Sequence, residues 1–381
     1  MSFLGLLLRN LKASIRSLFQ LRQKQSNKTS NSENQLADER PKLIALYLPQ
    51  FHPIPENDAW WGKGFTEWTN VARATPLFDE HYQPRIPADL GFYDLRVPET
   101  RQAQANLAQQ HGIGAFCYYH YWFAGKRLLE RPFNEVLASG TPNFPFCLCW
   151  ANQSWTGIWH GAPDRILIEQ TYPGVVDATQ HFQALLPAFH DKRYLRVAGK
   201  PVFVIFRPRE LPESRGFINL WKKLALENGL PGFHFVGFAS SRDWNYLADG
   251  FDAALWTWDP KLYRRTKISA AHPTVLQYGD VAQNWIPKEP APDSLYPCLM
   301  PNWDNTPRCG AEGYVYHQST PELFRAQVRA AFEWARKRPS GQKIIFVKAW
   351  NEWAEGNYLE PDMRHGLNYL QVIKEELRGR G

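Results

Sequence analysis

Short apolar runs alternate with helical stretches along most of this chain. Strand-length runs fall at 43–48 (LIALYL), 115–121 (AFCYYHY), 146–150 (FCLCW), 202–206 (VFVIF), 233–238 (FHFVGF), 253–257 (AALWT), 296–300 (YPCLM) and 344–349 (IIFVKA). They are nearly continuous in hydrophobicity, as strands buried on both faces of a parallel sheet are. Between them, amphipathic spacing predicts helices at 97–111, 176–191, 215–228 and 320–337, with a last one at 366–378. Eight strands with intervening helices predict an α/β fold, a single (β/α)8 TIM barrel over residues 41–381. A doubly wound open sheet is the alternative, but its usual glycine-rich first turn is missing.

Residues 1–40 follow a different pattern. Leu4, Leu8, Leu11, Ile15 and Leu18 recur at helical spacing, and Arg9, Lys12 and Arg16 fall mostly elsewhere on the wheel. A basic amphipathic helix over residues 1–22 suits an anionic membrane surface, and docking on protein explains the same pattern. The apolar run Leu6–Leu8 is too short to span a bilayer. Basic residues follow it and no small-residue cleavage site appears, so it does not read as a signal peptide. Residues 23–40 are polar and read as a flexible linker.

The tail also accounts for the charge. The formal net charge is +7, yet residues 1–32 hold six basic side chains and no acidic one. Without them 38 basic residues face 37 acidic ones, and no nucleic-acid motif is present, so no nucleic-acid partner is expected. Five cysteines without a CxxC pair read as reduced thiols. The expected location is cytoplasmic, peripheral at the inner face of the cell membrane. Metal and phosphate-loop motifs are missing, so neither metal nor cofactor is expected.

The chemistry lies in the aromatic residues. The chain carries 16 Trp, 16 Tyr and 23 Phe, more indole than a core needs. Sugar rings stack on such faces while their hydroxyls seek polar side chains. A barrel gathers its chemistry at the C-terminal ends of the strands. Those ends hold Tyr47, Gln50, Trp61, Glu67 and Trp68; Tyr118, Tyr119 and His120; and Trp150, Asn152 and Trp155. Further along come Arg207, Trp256, Asn302, Trp303, Trp350 and Asn351, then Glu352 and Glu355. Their convergence on one rim points to a carbohydrate cleft with an oligo- or polysaccharide as partner.

Two carboxylates three residues apart can share a face and flank one glycosidic centre. The first to lose its proton raises the pKa of the other, which lets one act as acid beside a base. A solvated pair capping the last helix explains the spacing equally simply. For Glu67, sugar contact and loop anchoring are both open; for His120, so is plain packing.

YLPQFHP (47–53), WWGKGFTEW (60–68), YYHYWFAGKRLLERP (118–132), WANQSWT (150–156) and WNEWAEG (350–356) together resemble WbsX-type polysaccharide-biosynthesis proteins. These are similar in turn to glycoside hydrolase family 99 endo-α-mannosidases. The resemblance covers residues 42 to about 375. It implies a (β/α)8 fold and action on α-linked glycans, often in O-antigen or capsule assembly. It also implies retaining chemistry through the substrate's own 2-hydroxyl, with Glu352 as base toward that hydroxyl and Glu355 as acid. Ala354 stands where the hydrolases typically carry His. Three functions follow as alternatives: a glycosidase or transglycosidase, a glycosyltransferase, and a non-catalytic glycan-binding protein.

Overall fold

The computed structural model describes residues 40–157, 162–241, 243–257 and 272–379. The expected tail helix at 1–22, and all of the linker except Arg40, lie outside the described residues. Eight parallel barrel strands run in chain order: β1 (Lys42–Tyr47), β2 (Ile113–Phe123), β3 (Phe146–Trp150), β4 (Lys200–Ile205), β5 (His234–Ala239), β6 (Ala253–Trp256), β7 (Leu295–Tyr296 and Cys298–Leu299) and β8 (Ile344–Val347). Each pairs with its neighbour in sequence, and β8 returns to β1 through the register Lys42↔Ile344 to Ala45↔Val347. That order is a nearly closed barrel, as expected.

The closure runs through a divided strand. Leu295–Tyr296 pairs with β6, and Cys298–Leu299 pairs with β8. Pro297 stands between the halves, and a proline has no N–H to give a ladder. Its carbonyl still accepts from Phe346 N at 2.9 Å.

The five expected helices are present as Pro98–Gln110, Val175–His190, Ser214–Glu227, Pro321–Arg336 and Asn368–Arg378. Pro321–Arg336 shows why. Thr320 caps it by accepting from Leu323 N, Pro321 opens it, and Phe324, Val328, Ala331 and Ala335 form one buried stripe. The sequence reading missed a helix at Arg131–Ser139, bounded by Pro132 and by the left-handed Gly140. Among the described residues, β5 and β6 are joined by turns alone. No helix among them is long and apolar enough to cross a membrane.

Side chains alternate along a strand, and the barrel imposes that period on the aromatic runs. In β2, Tyr119 and Tyr121 face the barrel mouth. Tyr118, His120 and Trp122 point outward, Tyr118 onto Tyr47 and Phe133 and the other two onto His181. Half of each run is therefore core.

Candidate active site

At the C-terminal ends of the strands lies a cleft of about 480 Å³. Leu48 and Gln50 line it just beyond β1, Tyr119 and Tyr121 on β2, and Trp155, Phe206 and Arg207 beyond β3 and β4. Trp61, Trp303, Arg308, Lys348, Glu352 and Glu355 complete it.

The glutamate pair sits on a tight hairpin rather than on a helix cap. Asn351–Glu352 pairs antiparallel with Asn357–Tyr358, and Trp353–Glu355 forms a 3-10 turn between them. Gly356 closes the turn at φ +58, where a Cβ would stand 2.8 Å from the Asp304 Cβ. Only glycine fits that approach. Asn351 anchors the hairpin base: its amide accepts from Leu48 N at 2.7 Å and donates to Leu48 O at 3.0 Å.

Two cations tie the carboxylates together. Arg308, on the short helix Thr306–Cys309, donates to Glu355 Oε1 at 2.5 Å and also to Glu67 Oε1. Lys348, just past β8, donates to Glu355 Oε2 at 3.3 Å and lies 3.6 Å from Glu352 Oε2. Its ammonium is 4.3 Å from the centre of the Trp303 ring, a cation–π contact. Glu67 also accepts from Ala354 N at 3.2 Å. It thus pins the hairpin and Arg308 together, which is anchoring in the sense the sequence left open.

The environments of the pair diverge. Burial pushes Glu352 up to about 7, with Lys348 opposing and Glu355 adding to the rise. Burial also disfavours the Glu355 anion, but Lys348 and Arg308 overcome it and hold Glu355 below its ordinary value. Burial works against the Lys348 charge as well, and the two glutamates hold it above the usual lysine range. Both Glu355 oxygens are occupied, whereas Glu352 Oε2 is buried without a hydrogen bond. Below about pH 7 the proton of the pair is therefore favoured on Glu352, with Glu355 as the anion.

Of the expected site residues, the structure brings Gln50, Trp61, Tyr119, Trp155, Arg207, Trp303, Glu352 and Glu355 into this cleft. The others lie elsewhere, mostly through strand alternation and loop packing. Tyr47 donates to Gln104 at 2.7 Å behind β1, beside Tyr118. His120 meets His181 across 2.9 Å, and Trp150 packs on His181 and Phe217. Asn152 bonds both backbone groups of Arg207 and so sets that residue rather than touching the cleft. Trp68 packs between Phe51, Tyr93 and Trp353, and Trp350 against Phe116. Asn351 is spent on Leu48. Trp256 and Asn302 line two other cavities.

The sequence reading missed Arg308 and Lys348 altogether. Lys348 was hidden inside an apolar run, where a lone lysine at a strand end is the available signal. Arg308 sits on a one-turn helix too short to show a periodic pattern. Among the described residues, no group of three or more His, Cys, Asp or Glu side chains could hold a metal ion.

Known proteins share this architecture. A protein described as glycoside hydrolase-like superposes with a TM-score of 0.57 at 15% identity, covering 89% of this chain and 94% of the other. The GH99 endo-alpha-mannosidase of Bacteroides thetaiotaomicron superposes at 0.51 and 14% identity, covering 88% and 97%. At such identity the likeness is one of fold. The uncharacterized protein WxcX of Xanthomonas campestris pv. campestris is 41% identical over 345 residues, 88% of this chain and 49% of that protein. The WxcX of strain B100 is 40% identical over the same length. The chain thus spans about half the length of the curated relatives it matches. The family described as glycosyltransferase WbsX matches residues 43–373, nearly the whole barrel, and the chain belongs to that family of carbohydrate-active enzymes.

Proposed function

We propose that the cleft performs retaining glycosidase or transglycosidase chemistry on an α-linked glycan of a bacterial surface polysaccharide. The observation that carries this reading is the unlike pair on the hairpin: on the wall of an aromatic cleft, Glu355 is bonded by Arg308 and Lys348, which hold it low, while burial raises Glu352. Retaining enzymes need two nearby carboxyl groups of unequal acidity. Trp61, Trp155, Trp303, Tyr119 and Tyr121 supply the stacking faces.

In the roles the family resemblance gives, Glu352 takes the proton of the substrate 2-hydroxyl. Glu355 protonates the departing oxygen and then activates the incoming water or acceptor. The free protein holds its proton on the opposite member, so sugar binding has to move it. A 2-hydroxyl donating to Glu352 stabilises that carboxylate. A sugar oxygen that draws Lys348 or Arg308 off Glu355 raises the pKa of that group. Both effects move the proton toward Glu355.

The test uses the leaving group. An activated one needs little protonation and partly rescues Glu355→Gln but not Glu352→Gln, and a 2-deoxy substrate is inert even with the unaltered enzyme. Normal turnover of the 2-deoxy substrate refutes the 2-hydroxyl route. Full activity in both Gln variants means that the catalytic site lies elsewhere.

A second reading, donor-dependent glycosyl transfer, draws on the family description and on Arg207, which is half exposed in the cleft and could face an anionic donor. Screening nucleotide sugars and polysaccharide fragments by mass spectrometry separates the two. Either activity suits assembly at the inner face of the cell membrane, with residues 1–22 on anionic lipid. Salt-sensitive binding of the full chain to anionic vesicles tests that placement, and no binding at low salt overturns it.

A further inference from the structure

On the other side of the segment that carries Trp303 lies a second cavity, of about 700 Å³. Asn302 lines it while its neighbour Trp303 lines the cleft. Its centre of interest is Arg85, a guanidinium whose side chain is only 4% exposed. Buried guanidinium groups normally hold short, charge-assisted bonds of about 2.7–2.9 Å. Arg85 has none. It reaches Tyr358 Oη and Asn302 Oδ1 at 3.5 Å each and Asp304 Oδ2 at 3.6 Å, and its Nε has no hydrogen bond.

The nearest anion is already spent. Asp304 accepts from His81 at 2.8 Å, from Gln83 at 2.7 Å, and from the Thr306 hydroxyl and amide at 2.6 and 3.1 Å. Four bonds fill its lone pairs, which leaves Arg85 only a distant share. Asp362 is also engaged, accepting from Tyr358 Oη and from the amides of Arg364 and His365. A second guanidinium, Arg364, lies 4.7 Å from the centre of the Tyr82 ring, and Arg85 lies 5.0 Å from the same ring. Glu80 is the carboxylate that lines the cavity against these two cations. Thr320 adds a hydroxyl at the amino end of the helix Pro321–Arg336, where the backbone also favours an anion.

Two cations gathered on one ring, the buried one under-bonded and facing an open cavity, make a place for an oxyanion. Tyr82, Tyr316 and Gln318 beside them offer a ring face and polar groups for hydroxyls. We propose that this cavity binds an acidic sugar, its carboxylate or phosphate held by Arg85 and Arg364. The inference rests on the reading of the protein as glycan-directed but not on turnover at Glu352 and Glu355.

Calorimetric titration of the full chain with glucuronate, glucose 6-phosphate, glucose and inorganic phosphate tests it. At least one acidic sugar should bind about tenfold or more tightly than glucose and than inorganic phosphate. The preference between glucuronate and the phosphate identifies the anion. Arg364→Gln, at the exposed cation, should weaken that binding about tenfold while turnover in the cleft persists. Arg85→Lys keeps the charge beside Asp304 but loses the planar fork, and it should weaken binding as well. Equal binding of acidic and neutral sugars, inorganic phosphate binding as well as the sugars, no binding at millimolar concentration, or unchanged affinity in both variants overturns the proposal. Intact binding with no turnover sinks the catalytic reading alone.

Discussion

Glu352 and Glu360 lie close together in the chain, both buried, and burial pushes both up to about 7. Their surroundings differ. Glu360 accepts from Gln104 at 2.6 Å, from Tyr93 at 2.9 Å and from Trp353 at 2.7 Å, so both of its oxygens are used. Glu352 borders the cleft with Oε2 unbonded. A raised pKa alone thus fails to separate a structural carboxyl from a reactive one. What separates them is that Glu352 lines the cleft, where a substrate hydroxyl can enter, while Glu360 is enclosed by its three donors.

The comparison can be broken most directly by exchanging each carboxyl for its amide. Glu352→Gln should cut turnover by about 10²–10⁴-fold with the fold intact, as removal of a general acid–base group does. The check is steady-state kinetics beside a thermal melt. Equal losses of turnover in Glu352→Gln and Glu360→Gln would erase the distinction.

The two tryptophans at the same end of the barrel give the next largest contrast. Trp350→Ala empties a fully buried site against Phe116 and should cost about 3–5 kcal/mol of stability. Trp155→Ala, in the cleft, removes a partly buried ring packed on Trp60, Tyr121 and Phe123, so it should cost less stability than Trp350→Ala and raise KM. Denaturant unfolding and kinetics read the two effects separately.

Glu360→Gln should cost about 1–3 kcal/mol, since an amide NH₂ in place of one oxygen faces a donor it cannot satisfy. Its turnover should fall far less than that of Glu352→Gln.

The smallest effect lies in the pH dependence of stability. Glu352 has a folded value near 7 against an ordinary 4.5, so between those limits the folded state keeps a proton that the unfolded state releases. Its contribution is neutral below about 4.5, erodes stability as pH rises to about 7, and is constant above. Glu352→Gln should flatten that fall by about 1 kcal/mol or more, read as unfolding midpoints from pH 5 to 8. An unchanged slope would mean that the carboxyl is not raised.

The sequence shows the barrel well because burial on both faces leaves a continuous apolar run, and seven of the eight strands do so plainly. The divided β7 was legible as YPCLM, but not its break, which depends on which neighbour each half finds. The site was legible only in part. Alternation sends Tyr119 inward and Tyr118 and His120 outward, and the runs alone do not reveal the phase. Glu352 and Glu355 stood out through the aromatic rim and the family motif rather than through spacing alone. Arg308 and Lys348, which decide the protonation of that pair, come from separate places in the chain and meet only in the fold.

The break at Pro297 has one more consequence, which concerns motion. Each half of β7 contributes a two-residue ladder to its neighbour, whereas β1 and β2 share five paired positions. Amide hydrogens at this seam, those of Phe346 and Lys348, should therefore exchange with solvent sooner than those between β1 and β2. Lys348 is also the cation that both glutamates share. Each opening of the seam would loosen its hold on them, so the rate at which the barrel breathes at β7 sets how often the proton on the pair is free to change places.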